Sequence, residues 1–265
     1  NFFKYPKESL YKLMKETFKM TDEDFKEYTD DIGFDQVDLS SVPSKIDEKH
    51  IAALKKIVGD DFVTTGDYQR LSVAYGATAY DLLRLRHKIF ENIPDVVVYP
   101  DTTEHVEKIV KYAVENKIPL YVYGGGSSVT RGMEAVKGGI TLDMRKRFNK
   151  LISFNETDQT VTVQAGMSGP DLENMLQNAP TTLGAKRAYT CGHFPQSFEY
   201  SSVGGRTVTR GAGQNSTYYG TIADIVLSQK YATHIGTIRT PHYPREATGP
   251  DLKQIMMGSE GTFGV

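Results

Sequence analysis

An apolar tetrapeptide, Leu120-Tyr121-Val122-Tyr123, runs straight into Gly124-Gly125-Gly126-Ser127-Ser128, and few architectures accommodate that junction. A short apolar and aromatic run bounded by a glycine cluster reads as a buried strand. Three glycines after it leave consecutive backbone N–H groups open, and such a concavity binds the oxygens of a phosphate or pyrophosphate. The hydroxyls of Ser127 and Ser128 add donors. A tight turn needing positive φ uses the same residues, so the loop alone leaves both readings open.

Two further loops share this chemistry. Ser201-Ser202-Val203-Gly204-Gly205 leads to Thr209-Arg210-Gly211-Ala212-Gly213, and Gly258-Ser259-Glu260-Gly261-Thr262-Phe263-Gly264 closes the sequence. Three separated loops of one type fit a long ligand, such as a dinucleotide, better than a single phosphate. The Rossmann fingerprint needs a third glycine where Val129 stands, although Asp143 keeps that reading as a weak alternative. The Walker loop needs Gly-Lys-Ser/Thr where the chain has Val129-Thr130-Arg131, which argues against a P-loop ATPase.

Before the first loop, Val96-Val97-Val98-Tyr99 reads as a strand. A helix opens at Asp101-Thr102-Thr103-Glu104 and carries Val106, Ile109, Val110, Ala113 and Val114 on one stripe. Together with Leu120–Tyr123 this makes a β-α-β unit. Ile140-Thr141-Leu142 and Thr160 to Ala165 read as strands, and Gly169-Pro170 opens a helix reaching Gln177. A hairpin is expected to pair Asp224–Thr233 with Thr237–Thr240. The first ~90 residues read as mostly helical: Glu8 to Phe18, a second start at Thr21 to Asp24, Asp47 to Val58 ending at Gly59, and a surface helix Ala79 to Phe90 bearing Leu82, Leu83 and Leu85. The expected fold is α+β with two small sheets, divided into a helical extension over 1–92 and a second domain over 93–265.

The 31 basic and 33 acidic residues leave a formal charge of −2, which gives no general attraction to nucleic acid or anionic membrane. A single cysteine, Cys191, excludes an internal disulfide, and the six histidines lack metal-site spacing. No apolar run approaches the ~18 residues of a membrane span. The expectation is a soluble, cytoplasmic protein without a metal; because the sequence starts at Asn1, a further segment is expected upstream, where targeting signals could sit.

At its loops the sequence resembles the PCMH-type FAD-binding fold of the vanillyl-alcohol oxidase and p-cresol methylhydroxylase superfamily. Tyr123 to Gly132 is similar to that family's pyrophosphate loop, Pro94 to Pro100 to its lead strand, and Gly258 to Gly264 to the signature late in its second FAD subdomain. Within the superfamily, Cys191 to Gly205, Thr209-Arg210, Tyr219-Gly220, Thr248 to Leu252 and Leu82 to Arg86 look most like the alkyldihydroxyacetonephosphate synthases, FAD enzymes of ether-lipid synthesis. The D-lactate and glycolate dehydrogenases share the glycine loops but usually not the serine-glutamate-serine stretch.

The resemblance implies an FAD domain of two α/β subdomains. It implies FAD contacts from Tyr123, Gly124, Gly125, Gly126, Ser127, Ser128 and Val129; from Gln196, Ser197, Glu199, Ser201, Ser202, Gly205, Thr209, Arg210 and Ala212; and from Glu260, Gly261, Thr262 and Val265. Covalent members carry a histidine where this chain has Ser127 or Ser128, so FAD is expected to be noncovalent. The implied reaction is exchange of acyl for alkyl on dihydroxyacetone phosphate; alternatives are oxidation of a D-2-hydroxy acid and a non-catalytic flavin-fold module. A homodimer fits the likeness. No catalytic residue is assigned, since in this superfamily the substrate clamp belongs largely to a C-terminal domain expected beyond Val265.

Departures are Gln196 for a common aspartate, Arg206 for a common tryptophan, and an apparent insertion at Pro180 to Tyr189. His193 reads either as a general base or as a loop-structuring residue, and Arg210 either as a phosphate ligand or as a surface ion-pair partner. Met256 and Met257 read as core, and Cys191 as a packed thiol.

Overall fold

The computed structural model describes residues 8–25, 37–245 and 247–265. The chain forms two compact units, Asn1–Val37 and Asp38–Val265. In the first, α1 (Glu8–Phe18) matches the expected helix. Thr21 donates its N–H and hydroxyl to Asp24 Oδ2 at 2.6 and 2.9 Å, so the predicted acidic start is a capped turn. The helix expected to follow it lies outside the described residues.

The second unit begins with α2 (Glu48–Val58), entered from an extended Asp47 and ended by Gly59 at φ 99°. After a 3₁₀ turn at Asp60–Phe62 come β1 (Val63–Thr64), α3 (Asp67–Ser72), α4 (Ala79–Arg86), β2 (Val96–Val98), α5 (Thr103–Glu115), β3 (Leu120–Tyr123) and β4 (Ile140–Asp143). The Thr102 hydroxyl caps α5 by accepting from the His105 N–H at 3.1 Å.

The four strands form one sheet in the order β1-β2-β4-β3. β4 inserts between β2 and β3 and runs parallel to both, with Thr141 opposite Val97 on one side and Tyr121 on the other; β1 is antiparallel to β2. Both ends of the β-α-β unit therefore leave the sheet at the same edge, where parallel sheets place ligands. Val96, Val98, Ile140 and Leu142 pack with Leu54 and Val58 of α2 and with Val106, Ile109, Val110 and Ala113 of α5. Across the sheet, Val97 meets Val73, Tyr99, Tyr123 and Met133.

The remainder supplies smaller elements: hairpin β5 (Leu151–Asn155) and β6 (Thr160–Val163), then α6 (Gly169–Gln177), α7 (Ala179–Thr182), α8 (Val203–Val208), α9 (Ser216–Tyr219) and α10 (Ile222–Ile225). Hairpin β7 (Lys230–Thr233) and β8 (Gly236–Arg239) precedes α11 (Leu252–Met256). The fold is α+β and, among the described residues, has one four-stranded sheet and two hairpins in place of two small sheets.

Several expectations change. The last hairpin starts at Lys230 and not Asp224, because Asp224 accepts from the Thr221 N–H and hydroxyl at 2.8 and 2.9 Å and starts α10. β5 carries a mixed, mostly exposed pattern that gives little periodic signal. Val114 is exposed and leaves the buried stripe of α5. α4 stops at Arg86 and not Phe90, with Lys88 and Asn92 at positive φ, and its buried position is a charged one: Arg84 is 1% exposed while Leu82 and Leu83 are 58% and 50% exposed.

Candidate cofactor site

The first glycine loop leaves β3 at the edge of the sheet. Asp143, the β4 residue paired with Tyr123, binds Arg145 at 2.7 Å, and the Arg145 guanidinium lies 4.4 Å from the centre of the Tyr123 ring. Burial pushes the Tyr123 phenol above its usual pKa, so it stays a neutral donor. Among the described residues, no backbone acceptor receives a hydrogen bond from the N–H groups of Gly124 to Val129. A run of unpaired amides at a strand end is the donor set a pyrophosphate requires.

The glycines are needed for close approach as well as for turning. A Cβ on Gly125 would collide with the Tyr200 carbonyl and come within 2.6 Å of Ser201 Cα. One on Gly124 would meet Ser202 Oγ at 2.5 Å. Gly126, at φ 69°, sits against the Tyr123 hydroxyl. The loop therefore lies backbone to backbone against residues 200–202, and the structure brings the first two predicted regions together. The Ser202 hydroxyl accepts from the Gly205 N–H at 3.1 Å, which starts α8 beside the loop.

The third loop joins both. Glu260 Oε2 accepts from Thr130 Oγ1 at 3.0 Å, and the Glu260 N–H bonds the Val208 carbonyl at 3.1 Å. Arg210 packs against Gly258 at the start of this loop and donates to the Gln254 carbonyl and Oε1 of α11 at 3.1 and 2.9 Å. Neither sequence reading of Arg210 describes that contact. Ser197 shapes the middle region through its carbonyl, which accepts from the N–H groups of Tyr200 and Ser201 at 3.0 and 2.8 Å.

Gln196, Glu199, Thr209, Ala212 and Thr262 are exposed. Gln196, Glu199 and Ala212 make no side-chain hydrogen bond to a described residue, whereas the Thr209 hydroxyl returns to the Gly205 carbonyl at 2.9 Å. Val265 pairs with Ala232 through N–H and carbonyl at 3.0 and 2.8 Å, so its backbone extends the β7 edge and is not free for a ligand. Gly261, between Glu260 and Thr262, stands at φ 86° with open space about it.

A cavity of about 200 Å³ is lined by Arg145, Asn149, Ser168, Asp171, Tyr200 and Ser202, the last two being residues on which the first loop packs. Sequence reading missed Arg145, Ser168 and Tyr200 as site residues, and it missed Arg206. Arg206 is 4% exposed and ties the 193–201 segment together, with Nε on Ser201 Oγ at 2.8 Å and Nη2 on the Phe198 carbonyl at 2.9 Å. No periodicity marks it. His193 is buried with neither ring nitrogen bonded to a described residue, and burial together with the Arg206 charge lowers its pKa to about 4. Cys191 packs near Met167, Leu172 and Leu176, and burial raises its thiol pKa. Met256 and Met257 are core residues, as expected.

Residues 94–240 match the family model described as an FAD binding domain, and the chain belongs to that family. It is 32% identical over 226 residues to the alkyldihydroxyacetonephosphate synthase of Dictyostelium discoideum, covering 84% of this chain and 36% of that protein. It is 29% identical over 235 residues to D-lactate dehydrogenase [cytochrome] 1 of Saccharomyces cerevisiae, covering 87% and 38%. A solved structure of an alkyldihydroxyacetonephosphate synthase superposes with a TM-score of 0.75 at 32% identity, covering 84% of this chain and 43% of that one. The chain thus spans under half the length of these relatives. FAD is the cofactor of this domain, and the glycine cradle with its unpaired amides fits its pyrophosphate. Among the described residues no helix is long and apolar enough to cross a membrane, and no His, Cys, Asp and Glu group could hold a metal.

Proposed function

We propose that this chain is the FAD-binding portion of an enzyme resembling alkyldihydroxyacetonephosphate synthase, exchanging the acyl group of an acyl-dihydroxyacetone phosphate for an alkyl group. The observation that carries the cofactor half is the convergence of three loops around a row of unpaired amides, Gly124 to Val129. The synthase half rests on the likeness in sequence and fold described above.

In this reading Gly124 to Val129 take the pyrophosphate, Ser197, Ser201, Ser202 and Gly205 wall the flavin chain, and Gln196, Glu199, Thr209 and Ala212 line the exposed mouth. Arg210, Glu260, Gly261 and Thr262 close the far side. FAD is held noncovalently, since no histidine stands in the first loop. The flavin ring supplies the reactive centre; the protein binds it, orients it and excludes water. The domain spans 93–265 after a helical extension, 1–92. The whole protein acts in the cytoplasm as a homodimer with no nucleic-acid partner.

An absorbance spectrum of the full-length protein tests both halves. Flavin bands must be present or restorable with FAD. Bleaching by palmitoyl-dihydroxyacetone phosphate with release of fatty acid supports the synthase. Bleaching by D-lactate instead supports the second reading, a D-2-hydroxyacid oxidoreductase, which the dehydrogenase likeness favours. A protein that never takes up flavin would be the non-catalytic module.

A further inference from the structure

Arg70, Arg84 and Arg206 are arginines buried to 2%, 1% and 4% exposure. Arg70 meets Asp67 at 3.5 Å, and Arg84 meets Asp81 and Glu134 at 3.0 and 2.6 Å. Arg206 has no carboxylate within salt-bridge distance among the described residues. Its guanidinium is held by neutral oxygens only: Ser201 Oγ at 2.8 Å, the Phe198 carbonyl at 2.9 Å, and the His193 and Ser201 carbonyls at 3.5 Å. Glu173, whose field reaches it, uses its own oxygens to accept from Gln177 at 2.8 Å and from the Cys191 N–H at 3.1 Å. A buried cation is costly unless a counter-charge lies near. Among the described residues the polypeptide supplies none in contact with the guanidinium.

The place where one could sit is adjacent. Arg206 grips Ser201, and Ser201 is the residue on which Gly125 of the first loop is packed. Gly169 leaves room for the guanidinium, since a Cβ there would occupy the space of Nη2. His193 beside it is kept neutral by burial and by Arg206, and so contributes no second positive charge. Arg131 and Arg145, which flank the loop, are already paired with Glu134 and Asp143.

We infer that Arg206 is the buried charge behind the first glycine loop: it complements a diphosphate bound on the Gly124–Val129 amides and fixes the 193–201 segment that backs that loop. This rests on the FAD reading, and it gives the diphosphate an electrostatic partner that makes no direct contact with it. In a low-dielectric site such a charge acts across one intervening layer of protein.

Full-length apoprotein would be titrated with inorganic pyrophosphate, read by thermal shift, and with FAD, read by quenching of flavin fluorescence. Wild type, Arg206→Met and Arg206→Lys would be compared, with folding checked by circular dichroism. The expected result is at least a tenfold weaker affinity of Arg206→Met for both ligands and a loss within about threefold for Arg206→Lys, which keeps the charge. Wild-type affinity in Arg206→Met overturns the inference. So does a tenfold loss in Arg206→Lys, which decides the matter even if the methionine variant does not fold. Wild type that binds pyrophosphate through Arg206 but not FAD defeats only the FAD reading; wild type that binds neither ligand defeats both.

Discussion

Arg84 Nη2 lies 2.6 Å from Glu134 Oε1, and both side chains are buried. The pair links α4 to the segment just after the first glycine loop, where Arg131 also binds Glu134, at 2.5 and 2.9 Å. Asp81, Glu91 and the face of Tyr75, with Arg84 4.0 Å from its ring centre, complete the surroundings of the guanidinium. Burial alone would raise the Glu134 pKa, but hydrogen bonds from Arg131 and Asn92 and the Arg84 charge outweigh it and hold the carboxylate ionised. The Ser128 carbonyl accepts from the Ala77 N–H at 2.9 Å, one residue before the Thr78 cap of α4, so this network frames the exit of the cofactor loop.

Arg84→Met leaves Asp81 and Glu134 buried beside an uncharged side chain. Removing one partner of a buried pair costs about 3–5 kcal/mol. Urea denaturation should show that loss, and the double variant Arg84→Met, Glu134→Met should recover part of it. Equal stability of wild type and Arg84→Met would show that the network contributes nothing net.

The same helix shows where sequence reading stops. It reads as a surface helix, and its leucines are indeed exposed, but the interior position is filled by an arginine whose three carboxylate partners are spread over 81–134. No local pattern reveals such a network. By contrast, β2, α5 and β3 were legible to within a residue or so: each carries an apolar run or stripe with its own punctuation, Pro100 after β2, the Thr102 cap of α5 and the glycines after β3. The glycine loops were legible as a ligand site because missing side chains are visible in sequence. Arg206 was visible only as a departure from its relatives, since its role depends on the fold of residues 193–201.

Gly125→Ala tests the close approach directly. The added methyl would collide with the Tyr200 carbonyl, which is backbone and cannot rotate away. The loop must separate from residues 200–202, and FAD retention, read as the ratio of flavin to protein absorbance after gel filtration, should fall at least tenfold. Gly184→Ala serves as the control. Its Cβ meets nothing within 4 Å, so only the modest strain of its φ of 68° is expected, without loss of flavin.

Cys191 should behave as an inert thiol. Burial raises its pKa and the nearby Glu173 charge adds to that, so little thiolate exists near neutrality. A thiol reagent such as DTNB should label the native protein slowly and the urea-unfolded protein at the rate of a free thiol. Fast native labelling would mean that the 189–193 segment opens readily.

His193 gives the protein an acid-sensitive element of known sign. Its pKa falls from the ordinary 6.5 to about 4 in the folded state, through burial first and the Arg206 charge second. Between those two values the unfolded chain binds the extra proton and the folded chain does not. The stability associated with neutral His193 is therefore complete above about pH 6.5 and declines as the pH falls toward 4, where the loss levels off. At about 1.4 kcal/mol per pKa unit the full loss is on the order of 3 kcal/mol. Urea titrations at about pH 7 and pH 4.5 should show a smaller drop in His193→Phe than in wild type, the difference being roughly 2–2.5 kcal/mol. Equal drops in the two proteins would place the acid sensitivity elsewhere, and an NMR titration giving an ordinary pKa for His193 would show that the 193–201 segment admits water at the imidazole.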